Sequence, residues 1–368
     1  MKIVQIIRNF STGGAERFVI DLSNRLHEEG ENVTIIRFFD DPSQNILESE
    51  VSKGVKIVTI RKKKGFDLFL IFRVFKYLKE LKPNIVHTHL NSFNYCFLSF
   101  IFSKNTKYFH TIHSMPLKEA KNRIDYFFKK ILFKSSIVNP ISISNEVHNE
   151  SVIHYGDNVK LIFNGRVSPL KTIKFIEVKE KIDRISENRK YPVIINIGNF
   201  KEAKNQQLLI KAINEVNKNQ TKVKLIILGG IFEGDNYKNL KSIANNENIV
   251  FLGSVNNPTD YLLSGDYFCL SSLWEGMPIS LIEAFATECI AISTPAGGIR
   301  SMITDKVNGF ITCDFEKESL KDKILEALNI DAECKEKIIR NANNDYAQKY
   351  SIGICSDEHL KHYSSKLI

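Results

Sequence analysis

In the stretch SSLWEGMPISLIEAFATE two carboxylates, Glu275 and Glu283, stand eight positions apart. Glu275 falls in a loop just past a strand-like run, YFCLSS. Pro278 suits the first turn of a helix, and Glu283 lies inside that helix, expected over Ile279 to Thr287. The free amides of Gly276, Met277 and Ile279 would point at a ligand ahead of the helix. Two carboxylates so placed can flank one bound molecule and accept hydrogen bonds from its hydroxyls, which sugars offer in number. Glu283 on a helix surface is the plainer alternative. Its neighbours Leu281, Ile282, Ala284 and Phe285 argue instead for a mostly buried helix, where an unpaired carboxylate is costly.

Three further groups have chemistry to offer. After the strand-like PVIINI, Gly198 opens the loop GNFKEAKNQ, which carries Lys204 and Asn205 to the start of a helix. A cation there opposes the helix macrodipole unless an anion sits with it; a solvated lysine in a polar loop is the alternative. His87 and His89, and then His113 in Thr111-Ile112-His113-Ser114, stand at the carboxyl ends of successive strands. His87 and His89 share a strand face, but no third ligand at a suitable spacing accompanies them, so no metal is expected. The loop Asn9 to Arg17 places Gly13 and Gly14 between the first strand and an amphipathic helix, where glycine lets backbone amides approach a phosphate. No Gly-x-Gly-x-x-Gly occurs, which disfavours NAD.

The elements that must position these residues alternate along the chain. KIVQII, NVTIIRF, VKIVTI, NIVHTH, YFHTIH, SIVNPIS and VKLIFNG read as strands separated by helical patterns such as Ala15 to Glu29, Phe69 to Leu81 and Asp125 to Lys134. A charged, helix-compatible segment, Lys171 to Lys190, interrupts the rhythm. PVIINIG, VKLIILGG, NIVFLG, YFCLSS and CIAIST then resume it. The fold class expected is α/β, with two Rossmann-like doubly wound domains facing across a cleft. The boundary falls between Gly165 and Tyr191, giving domains 1–168 and 169–345. Ala332 to Ile368 reads as two polar helices, with 346–368 returning to the first domain. Open parallel sheets bind ligands beyond the carboxyl ends of their strands, which is where the residues above fall.

In order and spacing these segments resemble the family-4 retaining glycosyltransferases of the GT-B fold, which include bacterial enzymes that build capsule, exopolysaccharide and O-antigen. The family's Glu-x7-Glu signature appears as Glu275 to Glu283. Gly13-Gly14-Ala-Glu-Arg, His-Thr-His, Thr-x-His-Ser, Asn164-Gly165, Lys204-Asn205 and Thr294-Pro-Ala-Gly-Gly298 accompany it. The resemblance implies transfer of a hexose or N-acetylhexosamine from a nucleotide sugar, taken as a UDP-sugar, to a saccharide acceptor. It implies Glu275 on the sugar hydroxyls, Glu283 on the ribose, Lys204 on the diphosphate, Gly14 near the phosphates and His113 near the reacting sugar. Glu275, His113 and Lys204 are thus the expected catalytic set. Gly13, Gly14, Arg17, His89, Asn199, Asn205, Gly276, Met277, Pro278, Ile279 and Glu283 are the expected substrate-binding set. It also implies front-face attack, in which the departing phosphate takes the acceptor proton. The sequence has no Asp-x-Asp, so neither metal nor other cofactor is expected. Two departures stand out: Asn199 replaces the usual Arg, and Arg300-Ser301 stands where Pro-Glu is usual, with Arg166, Arg17 or Arg300 as candidate replacements for the missing cation. A nucleotide-sugar epimerase and a non-catalytic nucleotide-sugar-binding subunit are the alternatives.

Charge and composition bear on partners. Residues 1–166 hold 25 Lys and Arg against 16 Asp and Glu, while 167–368 hold 26 of each sign, so the net +9 lies in the first half. An anionic membrane, nucleic acid and an acidic substrate all fit such a half. No helix-turn-helix, zinc or RNA-reading motif accompanies the charge, so nucleic acid is not expected. Arg61 to Lys82 mixes eight basic residues with Phe66, Phe69, Phe72, Phe75 and Tyr77, a composition suited to an anionic lipid surface or to a crossover helix packed on the sheet. The expectation is a cytoplasmic protein, peripheral on the inner face of the membrane, with a lipid-linked acceptor. The six cysteines are far apart, as in a reducing compartment, and neither the amino-terminal run nor Phe93 to Phe102 is long enough for a signal peptide or a membrane span.

Overall fold

A computed structural model describes all residues except 64, 66, 219–221, 231–234, 245 and 368. Phe66 of the aromatic and basic stretch therefore lies outside the described residues. The chain divides into two compact units, Met1–Val167 with Lys349–Ile368, and Ser168–Gln348.

The first unit is built on seven parallel strands: β1 (Lys2–Ile6), β2 (Asn32–Arg37), β3 (Lys56–Thr59), β4 (Ile85–His89), β5 (Lys107–Ile112), β6 (Val138–Ser142) and β7 (Lys160–Leu161). Their spatial order is β3-β2-β1-β4-β5-β6-β7. The helices are α1 (Gly14–Glu28), α2 (Leu68–Leu81), α3 (Phe97–Phe102), α4 (Pro116–Glu119), α5 (Arg123–Lys134) and α6 (Asn145–Tyr155). The second unit has β8 (Val193–Ile197), β9 (Lys224–Leu228), β10 (Ile249–Gly253), β11 (Tyr267–Leu270), β12 (Ile290–Ser293) and β13 (Phe310–Ile311), in the order β10-β9-β8-β11-β12-β13. Its helices are α7 (Phe175–Ile185), α8 (Gln206–Val216), α9 (Asp235–Ile243), α10 (Pro258–Leu262), α11 (Ile279–Phe285), α12 (Ile299–Met302), α13 (Lys317–Leu328) and α14 (Ala332–Asp345).

Both sheets are doubly wound, and each reverses its winding once, between β1 and β4 and between β8 and β11. Loops leaving the two strands at such a point diverge and open a crevice, the usual ligand position in this architecture. β9 is buried along its whole length, which is why Leu225 to Leu228 run apolar without alternation, whereas β4 buries the polar run His87-Thr88-His89.

Some elements differ from the sequence expectation. Within Lys171 to Lys190 only Phe175–Ile185 is helical. The helix after Glu275 ends at Phe285, not Thr287, because the Thr287 hydroxyl donates to the Ala284 carbonyl at 2.8 Å and accepts from the Cys289 amide at 3.2 Å. The two-residue strand β13 carries too short a pattern to announce itself. At the end of the chain a π-helical turn, Tyr346–Tyr350, leads into α15 (Ile352–Ser365), which packs against α1 in the first unit. A Cβ on Gly165 would collide with the Ile352 backbone and Cys355, so glycine there admits the start of α15. The Tyr363 hydroxyl then reaches His87 Nδ1 at 2.6 Å.

Candidate active site

In the second unit the loops after β8 and β11 carry the expected residues. Lys204 does not open a helix: it closes a short 3-10 turn, Glu202–Lys204, and Asn205 takes the left-handed conformation (φ 44°) before α8 begins. Asparagine is among the few side chains that tolerate this backbone. The Ser271 hydroxyl lies within hydrogen-bond reach of both the Lys204 and Asn205 carbonyls, at 3.0 and 2.9 Å, and the Leu273 amide donates to the Ala203 carbonyl at 2.8 Å. The two loops are therefore stitched together, and they bring Lys204 Nζ to 2.6 Å from Glu275 Oε1. Ser272 donates to the same oxygen at 2.6 Å, so two donors hold Oε1. Sequence reasoning missed both serines, because nothing in a strand-end Ser-Ser pair says that each side chain grips a different loop.

The backbone of Glu275 is fixed as well. The Gly298 amide donates to the Glu275 carbonyl at 3.3 Å, and any Cβ on Gly297 (φ +49°) would collide with that oxygen. The Thr-Pro-Ala-Gly-Gly segment thus buttresses Glu275. Met277, Pro278 and Ile279 are buried, so only their backbone is available to a ligand. The Gly276 and Ile279 amides make no hydrogen bond among the described residues. Glu283 lies on α11 and is 3% exposed, which settles its buried alternative. Asn199 accepts a hydrogen bond from the Gly230 amide at 3.2 Å, so it secures the neighbouring loop where the family's Arg would carry charge. A cavity of about 170 Å³ beside Lys201, Asn205 and Leu273 is smaller than the roughly 300 Å³ at which ligand pockets begin.

In the first unit the candidate replacements for the missing cation are occupied. Arg17 pairs with Glu50 at 3.0 Å, and buried Arg166 pairs with Asp21. Arg166 is buried with its charge met by Asp21, so the expectation that it serves as a diphosphate clamp is not supported. Arg300, in the second unit, is exposed and donates from Nε to the Pro295 carbonyl at 2.7 Å. The first loop also differs from expectation. The space that Gly13 leaves is filled by the Glu16 carboxylate, which accepts from Ser11 at 3.1 Å and makes this helix start a poor seat for an anion.

The histidines form a buried polar cluster. His89 is fully buried and both of its ring nitrogens are engaged, Nε2 with Gln5 Oε1 at 2.8 Å and Nδ1 with His113 Nε2 at 3.1 Å. It stands behind His113, which corrects its assignment as a substrate ligand. His87 bonds Tyr363 and Thr111, leaving it equally unavailable. Burial pushes the His113 imidazole down to about 4, against the pull of Glu119, and holds His89 well below its ordinary value. Among the described residues no group of three or more His, Cys, Asp or Glu side chains is arranged to hold a metal ion.

Glu119, a residue the sequence did not single out, ends α4. Its Oε2 accepts from the His113 amide at 2.7 Å, and its Oε1 lies 2.9 Å from His110 Nε2 and 2.8 Å from Lys129 Nζ. Burial opposes a charge on this carboxylate, but Lys129 and His110 outweigh burial and hold it ionised, below the usual range.

Residues 12–166 match the family described as Glycosyltransferase Family 4, and residues 177–345 match the Glycosyl transferases group 1 family. The chain is 29% identical to the capsular polysaccharide biosynthesis glycosyltransferase CapH of Staphylococcus aureus, over 80% of this chain and 81% of that one. It is 27% identical, over 98% of both chains, to a Campylobacter jejuni GalNAc-alpha-(1->4)-GalNAc-alpha-(1->3)-diNAcBac-PP-undecaprenol alpha-1,4-N-acetyl-D-galactosaminyltransferase. The crystal structure of Anabaena HepE in complex with UDP superposes with a TM-score of 0.81 at 18% identity, covering 99% of this chain and all of that one. The seven- and six-stranded Rossmann-like parallel sheets and this structural likeness are those of the GT-B fold. The chain belongs to glycosyltransferase family 4, a retaining family.

Proposed function

We propose that this glycosyltransferase moves a hexose or N-acetylhexosamine from a UDP-sugar to a saccharide carried on a polyprenyl diphosphate. The observation that carries the reading is the Lys204–Glu275 pair, held at the β8/β11 switch point by Ser271 and Ser272. The Campylobacter relative, whose acceptor is undecaprenol-linked, and the UDP-bound Anabaena structure support the choice of substrates.

In this reading Lys204 meets the diphosphate, and Glu275, one oxygen already held by two donors, presents the other to sugar hydroxyls. Glu283 holds the ribose, the Gly276 and Ile279 amides face the donor, and His113 touches the transferred sugar. The bond from the anomeric carbon to the phosphate oxygen breaks while the acceptor oxygen bonds on the same face, and the acceptor proton passes to the departing phosphate. The chain's task is to position the reactants and to meet the charge that gathers on the diphosphate. Transfer from UDP-N-acetylgalactosamine or UDP-galactose to a polyprenyl diphosphate saccharide, with and without a chelator, tests the reading. Persistence in chelator is expected. Donor consumed with no glycosylated product, or full turnover by Glu275→Ala, would sink it.

A lipid-linked acceptor calls for a surface that meets the membrane, on its cytoplasmic side in this reading. No helix of the described residues is long and apolar enough to cross a membrane. The crossovers β3→β4, β4→β5 and β5→β6 step the same way, which places α2, α3 and α5 on one side of the sheet. On α2, Leu68, Phe69 and Phe72 are exposed beside Arg73 and Lys76. On α5, Ile124, Phe127 and Ile131 form an exposed stripe flanked by Arg123, Lys130 and Lys134, and the helix's one acid, Asp125, is buried. Apolar stripes edged by cations suit an anionic lipid surface. Vesicles of phosphatidylglycerol should co-float the protein at low salt, and Phe72→Gln with Phe127→Gln should weaken this. No binding at low salt would remove the membrane from the proposal.

A further inference from the structure

A chain of hydrogen bonds runs from His113 through buried His89 to Gln5. Gln5 is turned with Oε1 toward His89 and its Nε2 makes no hydrogen bond among the described residues; in that orientation the amide oxygen accepts, and the proton of His89 lies on Nε2. The remaining His89 nitrogen, Nδ1, is then an acceptor, and its 3.1 Å contact must be filled by a proton on His113 Nε2. That leaves His113 Nδ1, which makes no hydrogen bond among the described residues, with a bare lone pair. Phe18 packs edge-on against both rings, with centroids 6.1 and 5.9 Å away, and limits their rotation. From the other side Glu119 Oε2 grips the His113 amide, and Glu119 is itself locked by Lys129 and His110.

We infer that Gln5, His89 and Glu119 are positioning residues for His113, fixing its backbone and its ring so that Nδ1 is presented as a hydrogen-bond acceptor for a hydroxyl of the transferred sugar. The inference rests on the proposed placement of His113 at that sugar. Neutral imidazole carries one donor and one acceptor, and unless its partners choose between them it divides its population between two tautomers. A chain that ends on an amide oxygen makes the choice before substrate arrives, and a preset acceptor gives the sugar hydroxyl a fixed direction in which to donate.

Two measurements on the full-length protein separate the inference from the reading beneath it. The first, imidazole nitrogen NMR of histidine-labelled protein, needs no ligand. His113 is expected with the proton on Nε2 and none on Nδ1, in the wild type and in His89→Asn, whose amide oxygen can replace the lost acceptor. In His89→Leu the preference should disappear. A proton on His113 Nδ1 in the wild type overturns the inference. The second compares binding of UDP-N-acetylgalactosamine with binding of UDP. In His89→Leu and His113→Ala the preference for the sugar nucleotide should fall about fivefold to tenfold while UDP affinity holds, with recovery in His89→Asn. Equal loss of both affinities in His89→Leu assigns His89 a merely structural role and overturns the inference. The expected tautomer combined with an unchanged preference in His113→Ala would instead leave the network standing and remove His113 from the sugar.

Discussion

Two lysine–glutamate pairs in this molecule have the same chemistry and opposite settings. Lys129 and Glu119 meet at 2.8 Å with side chains 3% and 7% exposed, one on a helix and the other closing a helical turn. Lys204 and Glu275 meet at 2.6 Å on two loops, at 24% and 12%. The buried pair has its surroundings complete: His110 and the His113 amide take the remaining capacity of the carboxylate. In the loop pair the neighbours hold one oxygen. A closed pair fixes a framework, whereas an open one can exchange partners with a ligand, and the proposed chemistry falls to the open one.

The contrast predicts that equivalent substitutions have different consequences. Lys129→Ala leaves an ionised carboxylate buried without its main partner and should destabilise the protein by about 3–5 kcal/mol, read from denaturant unfolding. Lys204→Ala, or Glu275→Ala, should leave the unfolding midpoint nearly unchanged and lower kcat about 10²- to 10³-fold. A large stability loss in Lys204→Ala would erase the distinction between the pairs. A third test uses pH. The imidazoles of His113 and His359 are held to about 4 by burial, below an unfolded value of about 6.5. Between these limits the unfolded chain binds more protons, so stability is full above about 6.5 and declines as pH falls toward 4, by about 1.4 kcal/mol per pH unit for each group. The decline should be shallower in His359→Phe, and an unchanged slope would show that this ring is not held neutral. The smallest effect should come from Ser272→Ala, which frees Glu275 Oε1 from one donor. KM for the UDP-sugar should rise about threefold to tenfold, with Ser272→Thr close to wild type.

Much of this architecture was legible in the sequence because it is local. Apolar runs such as KIVQII and VKLIIL, spaced by amphipathic helices, specify parallel strands, and the Glu-x7-Glu spacing survives folding because it spans one loop and one short helix. The working partners were less visible because they are not local. Gln5 sits in an unremarkable strand 84 positions from His89, and Lys204 and Glu275 meet across 71 positions. Neither distance leaves a pattern in a window of residues. The Glu16 carboxylate filling the Gly13 space, and the engagement of Arg17 and Arg166 by acids, are likewise side-chain events that charge counting cannot see. The stripe on α5 escaped for another reason: RIDYFFKKILFK is amphipathic either way up, and only burial of Asp125 and Lys129 tells which face is inward.

The bond between Tyr363 and His87 spans 276 positions, and the second unit lies wholly between its two ends. During synthesis Ser168 to Gln348 emerges from the ribosome before α15 does, so the later-coded half can fold while the earlier-coded half still lacks one wall of its interior. The amino-terminal unit is thus begun first and completed last. Ribosome-bound chains halted before residue 352 should expose the surface of α1 that α15 covers, a window in which a chaperone can bind.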